Sequence, residues 1–114
     1  MTKRITKNLS EPWFTLVLLG LKTVEGRLDK GEFDKGDIVC FENNDIPTHP
    51  RKVTVKIKEV VKYNNFQEYL TNEGIHSCLP GITDIDTGIA IYNKYFTIEQ
   101  QSIYDVIAIR FDLA

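Results

Sequence analysis

Residues 20–28 read GLKTVEGRL: a glycine that ends an apolar run, then Lys22, Glu25 and Arg27 in quick succession. The stretch before it, SEPWFTLVLLG, predicts one short helix over Glu11–Leu19. Ser10 is its N-cap candidate, Glu11 and Pro12 suit the first turn, and Gly20 suits the C′ position. After Gly20 the segment TVEGRL has the β-branched start and period-two alternation of a strand, with Val24 and Leu28 on one parity and Thr23, Glu25 and Arg27 on the other. The apolar parity belongs to a core. The charged parity is either a solvated strand face or one wall of a binding site.

Working outward, Arg4–Leu9 places Ile5, Lys7 and Leu9 on one parity and reads as a strand ahead of the helix. DKGEFDKGD is turn material, DIVCFEN alternates as a strand, and NNDIPTHP, with two prolines, is a loop. KVTVKIKEVV separates Val53, Val55 and Ile57 from Thr54, Lys56 and Lys58, the clearest half-buried strand in the chain. Asn64 or Asn65 caps a short helix FQEYLTNE that ends at Gly74, and a second helix runs from about Asp84 to Tyr95. Thr97 and Gln100 form a capping box for one more helical turn, and DVIAIRFDL is the last strand. Strands and short helices mix without a βαβ rhythm, so the pattern predicts an α+β fold. It reads as a small mixed β-barrel of about five to six strands, with short helices packed across its openings and no exposed edges.

A chain of 114 residues, 42% hydrophobic and 26% charged, fits one domain over residues 1–114 without a linker. Fourteen Lys and Arg against 16 Asp and Glu give a net charge of −2, so contact with nucleic acid has to be local. The apolar run Phe14–Leu21 is far short of the roughly 20 residues that span a bilayer, and MTKRITKN has no apolar signal region. A soluble cytoplasmic protein without membrane association is expected. Cys40 and Cys78 lack CxxC spacing and read as reduced thiols, and His49 and His76 have no second ligand at metal spacing. No metal or cofactor is expected.

The segment EPWFTLVLLGLKTVEGRL resembles the opening of the ASCH family, whose hallmark is G-x-K-x-x-E-x-R, carried here by Gly20, Lys22, Glu25 and Arg27. FDKGDIVCF, IAIYNKYF and YDVIAIRF resemble the family as well, so the likeness runs over nearly the whole chain. It implies a PUA-like barrel in which the motif lines a cleft between sheet and helices, and a ligand drawn from RNA, nucleotides or modified nucleosides. One small bacterial branch of the family hydrolyses the amide of N4-acetylcytidine with a lysine at the place of Lys22, a threonine three residues on, and a glutamate after the long middle strand. In this chain Glu25 stands where that threonine would be, and Glu73 comes nearest to the glutamate.

On a strand, Glu25 and Arg27 lie about 7 Å apart along one face. There a guanidinium fork and a carboxylate can meet a base edge, or a phosphate beside an amine. Lys22 has a cation and a carboxylate as neighbours, which act on its charge in opposite directions, and it reads at least as well as a phosphate binder as it does as a catalytic amine. Trp13 is a candidate stacking wall for a base or a core residue, and Phe14 reads as core. Tyr63, Tyr92 and Tyr95 read as packing residues, Glu68 as solvated, and Glu73 as solvated or facing the cleft. Lys30, Lys35, Arg51, Lys52, Lys56 and Lys58 form solvated faces or a local phosphate track. The leading function is therefore a binding domain whose cleft uses Trp13, Lys22, Glu25 and Arg27. The alternatives are an amidohydrolase of N4-acylated cytidine-type nucleosides with Lys22, Glu25 and Glu73 as catalytic groups, and a ribonuclease using the same charges.

Overall fold

The alternation of VTVKI becomes the inner half of a 13-residue strand, with Val53, Val55 and Ile57 buried and Lys56 and Lys58 exposed. In a computed structural model describing residues 2–114, this strand is β4 (Arg51–Tyr63). The other elements are β1 (Arg4–Asn8), α1 (Trp13–Leu18), β2 (Val24–Leu28), β3 (Ile38–Asn43), α2 (Phe66–Glu73), α3 (Ile75–Cys78), α4 (Ile85–Tyr95), α5 (Ile98–Ile103) and β5 (Val106–Leu113). The strands form a five-stranded sheet in the order β1-β3-β4-β5-β2, in which β1 and β3 run parallel and every other pair antiparallel.

β4 is long enough to pair with β3 through its first half and β5 through its second, and its ladder to β5 shifts register between Ile57 and Glu59. An extra residue at such a bulge bends a strand and increases its twist. The outcome is a curled five-stranded half-barrel, where the sequence pattern suggested a closed or nearly closed barrel of five to six strands. The edges β1 and β2 are bridged not by a backbone ladder but by the Arg27 side chain, whose Nη2 donates to the Asn8 carbonyl at 3.1 Å. Inside the curl lie Phe14, Val17, Val39, Phe41, Val55, Ile57 and Phe111. Val106–Ile109 of β5 are buried without alternation, because that stretch is covered on both faces.

The helices differ from expectation in detail. α1 begins at Trp13 rather than Glu11, and Ser10 does not cap it. Glu11 does that work: its carboxylate accepts from the Thr15 amide at 2.9 Å and the Thr15 hydroxyl at 2.6 Å, while Arg51 pairs with it at 2.9 Å. A carboxylate that gains a cation as well as a first-turn amide outcompetes a serine hydroxyl. Gly20, at φ 76°, ends the helix in a Schellman turn: its amide donates to the Val17 carbonyl and that of Leu21 to the Leu16 carbonyl. Asn65, Asp84 and Thr97 cap α2, α4 and α5, the last with the reciprocal Gln100 contact predicted. After Gly74 the chain adds the single helical turn α3, which the sequence pattern did not single out.

Candidate functional site

The Schellman turn delivers the chain into the motif, for the Lys22 amide also donates to the Leu16 carbonyl, at 3.0 Å. The Lys22 side chain then runs inward and is only 1% exposed. Its ammonium has three partners: the Val24 carbonyl at 2.6 Å, the Cys78 carbonyl at 2.5 Å and Glu25 Oε1 at 3.3 Å. Cys78 is the last residue of α3, where helical carbonyls lack intrahelical donors and suit a cation.

Glu25 sits between two cations. Its Oε2 accepts from Arg27 Nε at 3.1 Å and lies 3.0 Å from Arg27 Nη2. The sequence left this parity as a solvated face or the wall of a site; the Glu25 side chain is 7% exposed and that of Arg27 21%. β2 is an edge strand, but α3 packs on it, so both parities are covered. Among the described residues, Arg27 Nη1 has no hydrogen-bond partner, and the Lys22–Glu25–Arg27 set retains one net positive charge.

These residues line a cavity of about 200 Å³. Lys22, Glu25, Gly26 and Arg27 form one wall, the segment Asn8–Ser10 and Trp13 a second, and α4 a third through Ile91, Tyr92 and Tyr95, with Leu79 and Phe96 closing it. Trp13, Lys22, Glu25 and Arg27 are therefore brought together, while Phe14 is fully buried beneath the Arg51 guanidinium, 5.0 Å from its ring centre. Glu73 is elsewhere. Its carboxylate accepts from Arg110 Nε at 2.8 Å, Arg110 Nη2 at 2.7 Å and the Tyr63 hydroxyl, a clasp joining the end of α2 to β4 and β5. Among the candidate track residues, Arg51, Lys52 and Lys58 are paired with Glu11, Glu42 and Asp112.

Three contributors escaped the sequence reading. Tyr92 and Tyr95, three apart on α4, were read as packing residues, yet both line the cavity. Tyr92 also packs: its ring stacks on Phe66 at 4.4 Å and 9°, and its hydroxyl meets that of Tyr69 at 3.0 Å. Burial, with the Glu25 carboxylate adding to it, raises the Tyr92 hydroxyl well above the usual tyrosine range and keeps it a neutral phenol. Tyr95, half exposed at the rim, shares a hydrogen bond with Ser10 at 2.7 Å. Gly26 is the third. A Cβ there would lie 2.7 Å from Cζ of Tyr69, so glycine stands between Glu25 and Arg27 where an aromatic ring lies against the backbone. The signal was available, since glycine inside a strand marks a bulge or a close approach.

Chemically the cavity offers an uncommitted guanidinium edge, aromatic walls and net positive charge. The Lys22 ammonium is engaged within the wall: it donates to the Val24 and Cys78 carbonyls and lies 3.3 Å from Glu25 Oε1. Both cysteines are free, and burial pushes the Cys78 thiol up to about 11. Among the described residues no cluster of His, Cys, Asp and Glu could hold a metal ion, and no helix is long and apolar enough to cross a membrane.

No curated protein matches the chain. Among solved structures it is similar to the crystal structure of the hypothetical protein PH0355, at 32% identity over 99% of this chain and 100% of that one, with a TM-score of 0.84. It is likewise similar to the solution NMR structure of protein PF0455 from Pyrococcus furiosus, at 30% identity over 98% and 97% of the two chains, with a TM-score of 0.75. The pattern of the ASCH domain family matches residues 8–114, from the last residue of β1 to the end of the chain. The resemblance first carried by a few charged residues thus extends from the end of β1 through the remaining strands and helices, and the chain belongs to the ASCH domain family.

Proposed function

We propose that this protein is a PUA-like domain that binds RNA, a nucleotide or a modified nucleoside, holding one base in the cavity beside Arg27. The observation that carries the reading is the cavity itself. A hollow of about 150 Å³ accepts a benzene ring, and this one, at about 200 Å³, has room for a base while presenting Trp13, Tyr95 and the charged motif to it. Aromatic faces stack bases without regard to sequence, and Arg27 Nη1 supplies donors for a base oxygen or ring nitrogen. Glu25, already engaged by two cations, serves mainly to aim Arg27.

Amide hydrolysis of an N4-acylated cytidine is the second reading, favoured by a buried lysine 3.3 Å from a carboxylate at the wall of a cavity. Binding ranks above it because Lys22 is held by two buried carbonyls and Glu73 is held by Arg110. A ribonuclease using the same charges ranks third. Trp13, the sole tryptophan, is a built-in reporter. Its fluorescence is followed while nucleosides, nucleotides, short RNAs and N4-acetylcytidine are titrated, with acetate release measured on the last. Arg27→Ala is expected to weaken binding by about 1.5–3 kcal/mol, the range for a hydrogen bond to a charged group. Unchanged affinity in both Arg27→Ala and Trp13→Phe, the latter followed by calorimetry, defeats the binding reading. Acetate release retained by Lys22→Arg defeats lysine catalysis, since arginine cannot act as a neutral base.

A further inference from the structure

The cavity does not end at Arg27. A second hollow of about 110 Å³ adjoins it and shares two of its residues, Arg27 and Phe96. Lys7 and Lys30 bring two more cations to its walls, and Glu32 is its single carboxylate. The polar lining thus carries three cations against one anion.

The state of each cation sharpens this. Lys7 is held 2.5 Å from Glu32, with its ammonium 5.8 Å from the centre of the Phe33 ring. Lys30 is exposed at the strand end, with its ammonium 5.2 Å from the centre of the Tyr104 ring and no ion pair among the described residues. Nearby Asp29 does not neutralise it, because Asp29 is engaged by Lys62 at 3.0 Å. Arg27 reaches the hollow with Nη1 uncommitted, since Glu25 and Asn8 take the Nε and Nη2 side of its fork. A rigid fork is thus pinned on one side and open on the other, at the boundary between a ring-sized cavity and a positively charged hollow.

We propose that this second hollow is a phosphate subsite. A ligand whose ring occupies the cavity would place an attached phosphate ester against Arg27, Lys7 and Lys30, so the domain selects nucleotides or a nucleic-acid chain over free nucleosides. The inference rests on the base-binding reading of the cavity and adds the ligand class to it. Glu32 tempers the site by holding Lys7, and its removal frees an ammonium for the phosphate.

The test compares the nucleosides with their 5′-monophosphates, their 3′-monophosphates and dinucleotides, followed by Trp13 fluorescence at low and moderate salt. Phosphate-bearing probes are expected to bind about 10-fold tighter than the matching nucleosides, an advantage that shrinks as salt screens the exposed charges. Lys30→Gln and Lys7→Gln are each expected to cut that advantage about 2- to 5-fold while leaving nucleoside affinity in place, and Glu32→Gln to increase it by a similar factor. A monophosphate as tight as the dinucleotide assigns the site to a phosphomonoester, and a tighter dinucleotide assigns it to a chain. If nucleosides bind and phosphate adds nothing, or if the three variants change nucleoside and nucleotide affinity alike, the subsite is overturned and the base cavity stands. If no probe binds, both readings fall together.

Discussion

Replacing Gly26 by alanine tests the architecture of the site with a single methyl group. The new Cβ would lie 2.7 Å from Cζ, 2.8 Å from Cε2 and 2.9 Å from the hydroxyl of Tyr69, well inside van der Waals contact. The tyrosine cannot swing clear. It is fully buried, meets Phe66 and Tyr92 edge-on at 5.9 and 5.5 Å, and its hydroxyl is tied to that of Tyr92 at 3.0 Å. Overpacking a filled core costs about 1–3 kcal/mol. Alanine recovers about 0.5–1 kcal/mol by reducing the freedom of the unfolded chain, since Gly26 has no positive φ to lose. The net expectation is a loss of about 1–2 kcal/mol, read in urea unfolding followed by circular dichroism with the slope unchanged. Ligand affinity should fall too, because Gly26 separates Glu25 from Arg27 and a displaced strand displaces both. In a Tyr69→Leu background the ring is gone and the same methyl should cost nothing further, giving a coupling energy of about 1–2 kcal/mol. Gly26→Ala at or above wild-type stability, with Tyr69 intact, would refute the close-approach argument.

Other outcomes follow from the same contacts. Lys22→Met should destabilise by about 3 kcal/mol in the same unfolding assay, because two buried carbonyls lose their donor and Glu25 keeps only Arg27; a loss under 1 kcal/mol would show that the buried ammonium contributes little. The Arg110 guanidinium, despite opposing burial, lowers the Glu73 carboxyl from its ordinary 4.5. A carboxyl depressed on folding adds stability that is complete above the unfolded value and fades as pH falls through the folded one. Glu73→Gln should therefore cost stability at pH 7 and show a shallower decline below about pH 4.5 than the wild type, and parallel pH profiles would rule the clasp out. Cys78, with its thiol raised to about 11 by burial, should resist iodoacetamide at pH 8 in the folded protein and react after denaturation, as mass spectrometry of the peptides reports; rapid native labelling would contradict its burial.

Local chemistry made much of this protein legible from its sequence. The strands at Val53–Ile57 and Val106–Phe111, the glycine stop at Gly20, the start of α2 at Asn64 or Asn65 and of α4 near Asp84, and the Thr97–Gln100 box all depend on residues within a turn or two of one another, where side-chain parity and capping geometry act directly. The motif could likewise be picked out and its ligand class suggested. Its burial could not be, because parity says which residues share a face but not whether another element covers it. Glu25 is buried since α3 packs on β2, and Lys22 is held in place because the Cys78 carbonyl arrives from 56 positions away. Glu73 drops out of the cleft for a similar reason: its partner Arg110 is 37 positions distant, and their register is fixed only when α2 packs over the curled sheet. The same long-range packing sets the Gly26–Tyr69 approach and makes Tyr92 a cavity wall as well as a packing residue. Short-range propensity determined the elements, and the bend of β4 with the placement of the helices determined which charges meet, because pairing energy in a buried site depends on contacts between segments far apart in the chain.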